Sequence, residues 1–187
     1  MMEVQMISLR SVFLLFAVLT GTTAQVWAAK GGDVVKDVNL DQYAGTWYEI
    51  ARLPNKHQKG LVEVTSTLKR TKDGYVMINS GFKGSRGGKK TTVKGNVMVK
   101  NKRDAGAMKV RAFIFSIDYR IIDLDKTNYS YALVTTDSEK FLWILSKSPV
   151  MEQQVYDRLV ESARQKGFDV ARLERVSQES NSALVGR

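Results

Sequence analysis

Gly45-Thr46-Trp47-Tyr48-Glu49-Ile50-Ala51-Arg52, closed by Leu53-Pro54, is the stretch that decides the fold. A Trp two residues after a Gly, at the start of an alternating pattern, sets a large rigid ring where the backbone must approach closely. Beyond it the residues alternate with period two, Trp47, Glu49 and Ala51 on one face and Tyr48, Ile50 and Arg52 on the other. Such a Trp also suits an ordinary core, so its meaning depends on what surrounds it.

From residue 45 to 147 the chain reads as short strands separated by turn signals, the spacing of a sandwich or barrel. The expected strands are Thr46–Leu53, Val62–Lys69, Tyr75–Phe82, Thr91–Val99, Ala107–Phe115, Tyr119–Leu124, Ser130–Thr135 and Phe141–Ser146. Turn chemistry lies between them in Thr71-Lys72-Asp73-Gly74, Gly81–Gly88, Arg103-Asp104-Ala105-Gly106 and Thr136-Asp137-Ser138-Glu139. Most connections are short, which suits antiparallel neighbours in an up-and-down meander. Pro54–Leu61 is longer, and loops of that kind frame sites.

Alternation then sorts the faces. Val64, Ser66 and Leu68 share one side of the second strand, and Val76, Ile78 and Ser80 one side of the third. Val93, Gly95 and Val97 do so in the fourth, and Met108, Val110, Ala112 and Ile114 in the fifth. Closing eight such strands into a barrel hides the apolar face and leaves no edge. An eight-stranded barrel is just wide enough to be filled by side chains or to hold one small ligand. The small inward candidates Ala51, Ser66, Ser80, Gly95 and Ala112 favour a hollow. One helix follows over about 149–166, with Ser148 as cap, Pro149 in the first turn and Gly167 at its end. Met151, Val155, Leu159 and Ala163 form the stripe that docks it on the sheet. Val170–Val176 reads as a short last strand and Ser177–Arg187 as a polar tail.

Composition limits the chemistry. The chain has 187 residues with 43% hydrophobic content, enough for one domain, and shows no internal repeat. Zero Cys excludes disulfides, thiolate metal sites and Cys nucleophiles, and the single His, His57, removes multi-His metal sites. No metal or cofactor is expected. His57 reads as a solvated residue of the long first loop.

Arg10 precedes the apolar run Ser11–Leu19, too short to span a bilayer, and Val26-Trp27-Ala28 offers a cleavage site after Ala28. Thr22-Thr23-Ala24 is a second candidate site, Met6 an alternative start, and an uncleaved anchor the competing reading. Residues 1–28 are therefore expected to be a signal peptide, and 29–187 a single exported domain. With no Cys after the apolar run, lipidation is not expected. The net charge of +10 includes the basic runs Lys83–Lys90 and Lys100-Asn101-Lys102-Arg103. No nucleic-acid module accompanies them, so nucleic acid is not expected, whereas solvated turns or contact with an anionic membrane surface are.

These features resemble the lipocalin family, in its bacterial and apolipoprotein D-like branch, from about Val38 to Gln178. Tyr43–Arg52 matches the first motif, and Phe141-Leu142-Trp143-Ile144-Leu145-Ser146-Lys147-Ser148-Pro149 is similar to the segment before the helix. The family's Thr-Asp-Tyr appears as Thr127-Asn128-Tyr129, and Lys147 stands where the family usually has Arg packed over the motif Trp. Lys keeps a cation–π contact but lacks the planar fork. The resemblance implies a structural set of Gly45, Trp47, Asn128, Tyr129 and Lys147, of which Trp47 and Lys147 are expected to close the barrel floor.

The resemblance implies an eight-stranded antiparallel barrel with one outer helix, carrying a fatty acid or lysophospholipid in the bacterial cell envelope. The protein would be periplasmic, with association at the outer membrane as the second placement, and a monomer or homodimer. Tyr119 matches a ligand-side Tyr of bacterial relatives and is the main candidate for a head-group contact near the mouth. Trp143, Ile121, Ser66, Leu68, Val76, Ile78, Val93, Met108, Val110 and Ala112 are expected to line the tube. The competing class is a lipocalin-fold enzyme. It would act on a lipid through Glu49 and Asp123, which alternation points inward.

Overall fold

The alternating segments close into a barrel in the computed structural model, which describes residues 33–99 and 105–178. The export segment 1–28, the basic run at 100–103 and the end of the tail lie outside the described residues. The strands are β1 (Gly45–Arg52), β2 (Leu61–Thr71), β3 (Gly74–Lys83), β4 (Lys90–Val99), β5 (Ala107–Ala112), β6 (Phe115–Leu124), β7 (Tyr131–Thr135) and β8 (Leu142–Ser146). Each pairs antiparallel with the next, and β1 pairs with both β8 and β2, so the meander is closed. A short helix, α1 (Leu40–Tyr43), precedes β1; Asn39 caps it by accepting from the N–H groups of Asp41 and Gln42.

Two irregularities decide which side chains face in. A bulge in β1 between Glu49 and Ala51 sends Ile50 and Ala51 outward together and turns Arg52 inward with Glu49. A second, in β6 between Ile121 and Asp123, leaves Ile121 in the barrel and places Ile122 against the outer helix. Simple alternation had put Ala51 and Asp123 inside; both are outside. β5 also ends three residues earlier than expected. Phe113 and Ile114 form a two-residue turn, with Ala112 paired to Phe115, so Ile114 lies outside the strand.

The outer helix, α2 (Gln153–Gln165), begins later than its sequence signals indicate. Ser146 Oγ accepts from the N–H of Ser148, and Ser148 Oγ from that of Val150; these local bonds hold residues 146–150 in turns. Gly167 ends the helix at φ +88°, a conformation that favours glycine. Leu159 and Ala163 are fully buried against Ile50, Ala51, Leu133, Leu142 and Ile144, with Met151 and Val155 partly so. A 3-10 turn (Val170–Arg172) then leads to β9 (Glu174–Arg175), two residues rather than the expected seven, paired on β1.

Candidate functional site: a one-ended apolar cavity

At the closed end, Trp47 is 1% exposed, stacks on Tyr43 at 4.5 Å between centroids, and donates from Nε1 to the Tyr43 carbonyl at 2.8 Å. Lys147 Nζ sits 4.4 Å from the Trp47 ring centroid and donates to the carbonyls of Tyr43 (3.1 Å) and Ala44. Gly45, at φ +102°, leaves room for it, since a Cβ there would stand 3.1 Å from Nζ. Burial lowers the Lys147 ammonium to about 8.

Tyr129 is buried at φ +53°, and its hydroxyl accepts from the N–H of Asn39 at 3.0 Å. Asn128 contributes its N–H, which Asp125 Oδ1 accepts at 3.1 Å. Asp125 also accepts from the N–H of Thr127 and from the N–H and hydroxyl of Ser130. The carboxylate that organises this turn is therefore Asp125, three residues before the position of the family's Asp.

Above this floor lies a cavity of about 580 Å³, open at one end. Ser66, Val93, Val110, Ala112, Tyr119 and Trp143 line it. The remaining expected positions do not. Leu68, Met108 and Ile121 are packed around Trp47 in the closed-end core. Val76 and Ile78 stand on the other face of β3, whose pairing puts Met77 beside Gly95 and Asn79 beside Val93, both across the cavity wall. Val76-Met77-Ile78 is apolar at three successive positions, so its period could not be read.

Tyr119 lies at the foot of the cavity, and its hydroxyl is 2.7 Å from that of buried Tyr43. Burial raises both phenols. Because β6 begins at Phe115 and not Tyr119, Tyr119 sits four residues farther from the mouth than expected.

One wall carries a buried polar network around Glu49, whose partners the sequence did not identify. Arg52 donates to Glu49 Oε1 at 2.8 Å and to the carbonyls of Gln58 and Leu61 at 3.0 and 3.1 Å. Gln58 Nε2 donates to Glu49 Oε2 at 2.7 Å, and Gln58 Oε1 accepts from Trp143 Nε1 and Asn55 Nδ2. Burial raises the Glu49 carboxyl, opposed by Arg52 and Gln58. The network ties the β1–β2 loop, with Asn55, His57 and Gln58, over one side of the opening. Glu49 and Arg52 lie three apart on a strand, a spacing that meets only across a bulge, so alternation gave no signal for it.

Asp123 accepts from Ser162 at 2.7 Å and Arg158 at 3.3 Å, both on α2. It lies on the opposite side of the barrel wall from Glu49, so the expected carboxylate pair does not form. Among the described residues no cluster of three His, Cys, Asp or Glu could hold a metal.

The lipocalin-like domain model matches residues 38–178. This chain belongs to the lipocalin family. It is 35% identical over 147 residues to outer membrane lipoprotein Blc of Vibrio cholerae, covering 78% of this chain and 85% of the relative. Temperature-induced lipocalin-1 of Arabidopsis thaliana is 32% identical over 167 residues, covering 81% and 88%. Among solved structures, insecticyanin from the tobacco hornworm Manduca sexta superimposes with a TM-score of 0.64 at 21% identity, covering 78% of this lipocalin and 84% of that chain. The likeness to insecticyanin shows the fold.

Proposed function

We propose that this lipocalin is a carrier that holds one fatty acid or lysophospholipid, with its acyl chain in the barrel and its polar head toward the mouth. The observation that carries the reading is the lining of the cavity. Met77, Val93, Val110, Val134 and Leu145 give it apolar walls, and the polar side chains of Asn55, His57, Gln58 and Thr136 come from the loops of its open end. Its volume lies within the range of small-ligand pockets. Exposed Lys56, Lys59, Lys89 and Lys90 on and beside the loops of the same end suit an anionic head group. The chemistry favours binding over turnover, because Glu49 is already engaged by Arg52 and Gln58.

We further read residues 1–28 as a signal peptide and the mature protein as residing in the cell envelope without a lipid anchor, since the chain has no Cys. The relative named as an outer membrane lipoprotein supports the envelope placement. Native mass spectrometry of the exported protein, followed by solvent extraction, tests both. It is expected to show a mature N-terminus near residue 29 and one fatty acid or lysophospholipid per chain. Val93→Trp, which fills the tube, should lose the lipid. An apo mass that takes up no added lipid would overturn the carrier reading.

A further inference from the structure

We propose that the turn between β5 and β6 is a membrane-insertion tip that seats the cavity mouth on an anionic lipid surface. Phe113 is 92% exposed, Ile114 85%, Phe115 69% and Ile117 59%, and the four are nearly consecutive on one hairpin. Isolated exposed apolar residues are ordinary, but a contiguous apolar tip marks an interaction site. Its backbone makes the point independently. Phe113 occupies the first position of a two-residue turn at φ +53°, where glycine or asparagine is at ease and an aromatic residue is strained. Neither burial nor backbone preference accounts for a phenylalanine there. Strain of this kind persists where function requires the side chain.

The setting of the tip selects the partner. In an up-and-down barrel alternate connections share an end, so the tip stands with the β1–β2, β3–β4 and β7–β8 loops. That end is the open one, because Phe115, Ser116 and Ile117 also line the cavity. Lys56 and Lys59 on the first loop, Arg86 and Lys89 on the second, and Lys83, Lys90 and Arg111 at the adjoining strand ends are all exposed. The first two loops contain no acid. The acids of this end are Asp137 and Glu139 on the β7–β8 loop and Glu174 on β9 beside Arg52, with Glu63 3.9 Å from Arg86 and Asp118 2.9 Å from Lys109. An apolar point ringed by cations matches a bilayer interface, with the ring on anionic head groups and the point at the acyl boundary. The inference goes beyond the carrier reading and does not rest on it, since tip and ring are present whatever fills the barrel.

The test is co-sedimentation of the full mature chain with vesicles of phosphatidylglycerol and phosphatidylcholine in equal parts, and with phosphatidylcholine alone. Binding to the anionic vesicles is expected, weakening at least tenfold on pure phosphatidylcholine or in high salt. Phe113→Gly with Ile114→Ser should reduce binding at least tenfold while the melting temperature holds or rises, because glycine relieves the turn. Lys89→Glu with Lys90→Glu should weaken binding in low salt only. Val93→Trp should dock normally even though it carries no lipid, which separates this proposal from the carrier reading. Wild-type partition by the tip variant, or no binding by the wild type, would overturn the proposal. So would a wild-type dimer that the tip variant converts to monomer with vesicle binding unchanged, since the tip would then face a second copy.

Discussion

At the closed end of the barrel Trp47 is 1% exposed, whereas at the open end Phe113 is 92% exposed. The two ends are made by the same eight strands, and the contrast extends to everything that joins them. The closed-end turn after β6 has its N–H groups taken up by one carboxylate, Asp125, and the end of α1 leading into β1 has its carbonyls taken by Lys147. The described charges of the closed-end turns come as Lys72 with Asp73 and Asp125 with Lys126. At the open end the loops carry an excess of cations, and the apolar side chains of the β5–β6 turn have no protein partner to cover them. A barrel that must hold its shape while keeping one mouth accessible concentrates its satisfied polar groups at the floor and leaves its unmet preferences at the rim.

The contrast is broken most severely at the floor. Trp47→Ala should cost about 3–5 kcal/mol, read by chemical denaturation, because a fully buried ring leaves a cavity behind. The open end has one anchored loop, and Arg52→Met tests it. Removing the guanidinium leaves the Glu49 carboxylate buried and unpaired, a loss of about 3–5 kcal/mol near neutral pH. Burial already holds Glu49 above the usual carboxylate range, and without Arg52 it rises further. The folded variant then binds more protons than the unfolded chain, so its deficit should shrink as pH falls from 8 toward 5.

A smaller effect is expected at the β6–β7 turn. Asp125→Ala removes the acceptor for three N–H groups and one hydroxyl and should cost about 1–2 kcal/mol. Burial raises this carboxyl, but the Ser130 hydroxyl and the N–H groups of Asn128, Thr127 and Ser130 outweigh it and hold it below the usual range. Its contribution is thus present above the unfolded value and is lost as pH falls through the depressed folded one. The wild type and Asp125→Ala should therefore converge in acid.

The smallest change sharpens the floor instead of breaking it. Lys147→Arg should stabilise by about 0.5–1 kcal/mol at pH 7, because the planar fork serves both carbonyls and carries its charge at a lower desolvation cost. Lys147 titrates at about 8 in the folded chain, below its ordinary unfolded value near 10.4. Between those values the unfolded state holds more protons, so wild-type stability carries a term that rises with pH there. The Arg variant lacks it, and the gap between the two should narrow from pH 8 to pH 10.

The floor was the part of the molecule most legible in the sequence. Gly45 and Trp47 fall in one short motif, Lys147 was matched to Trp47 through the resemblance to lipocalins, and the eight strands around them followed from turn residues and alternation. The wall was read less well, since period two holds only until a bulge intervenes. Ala51 and Asp123 were misplaced for that reason, and Val76 and Ile78 because three apolar residues in a row carry no phase. The β5–β6 turn went unseen because Phe113 and Ile114 have none of the residue chemistry of a tight turn. A pair of strand-like residues at a turn is itself the anomaly that backbone geometry later exposes.

The bulge at Ile50 has a consequence for how this strand tolerates change. It acts as a parity shift: before it the odd-numbered residues Trp47 and Glu49 face the barrel interior, and after it even-numbered Arg52 does. One continuous strand thereby supplies two adjacent residues to the helix on the outside and two charged ones to a pair on the inside. Removing Ile50 would restore perfect alternation with every other residue still on its present face, whereas removing a residue from the regular part of the strand would exchange the lining of the vessel for its outer coat on one side of the cut. Single-residue deletions in β1 should therefore be tolerated best at the bulge, at Ile50 or Ala51, and be far more damaging between Thr46 and Tyr48.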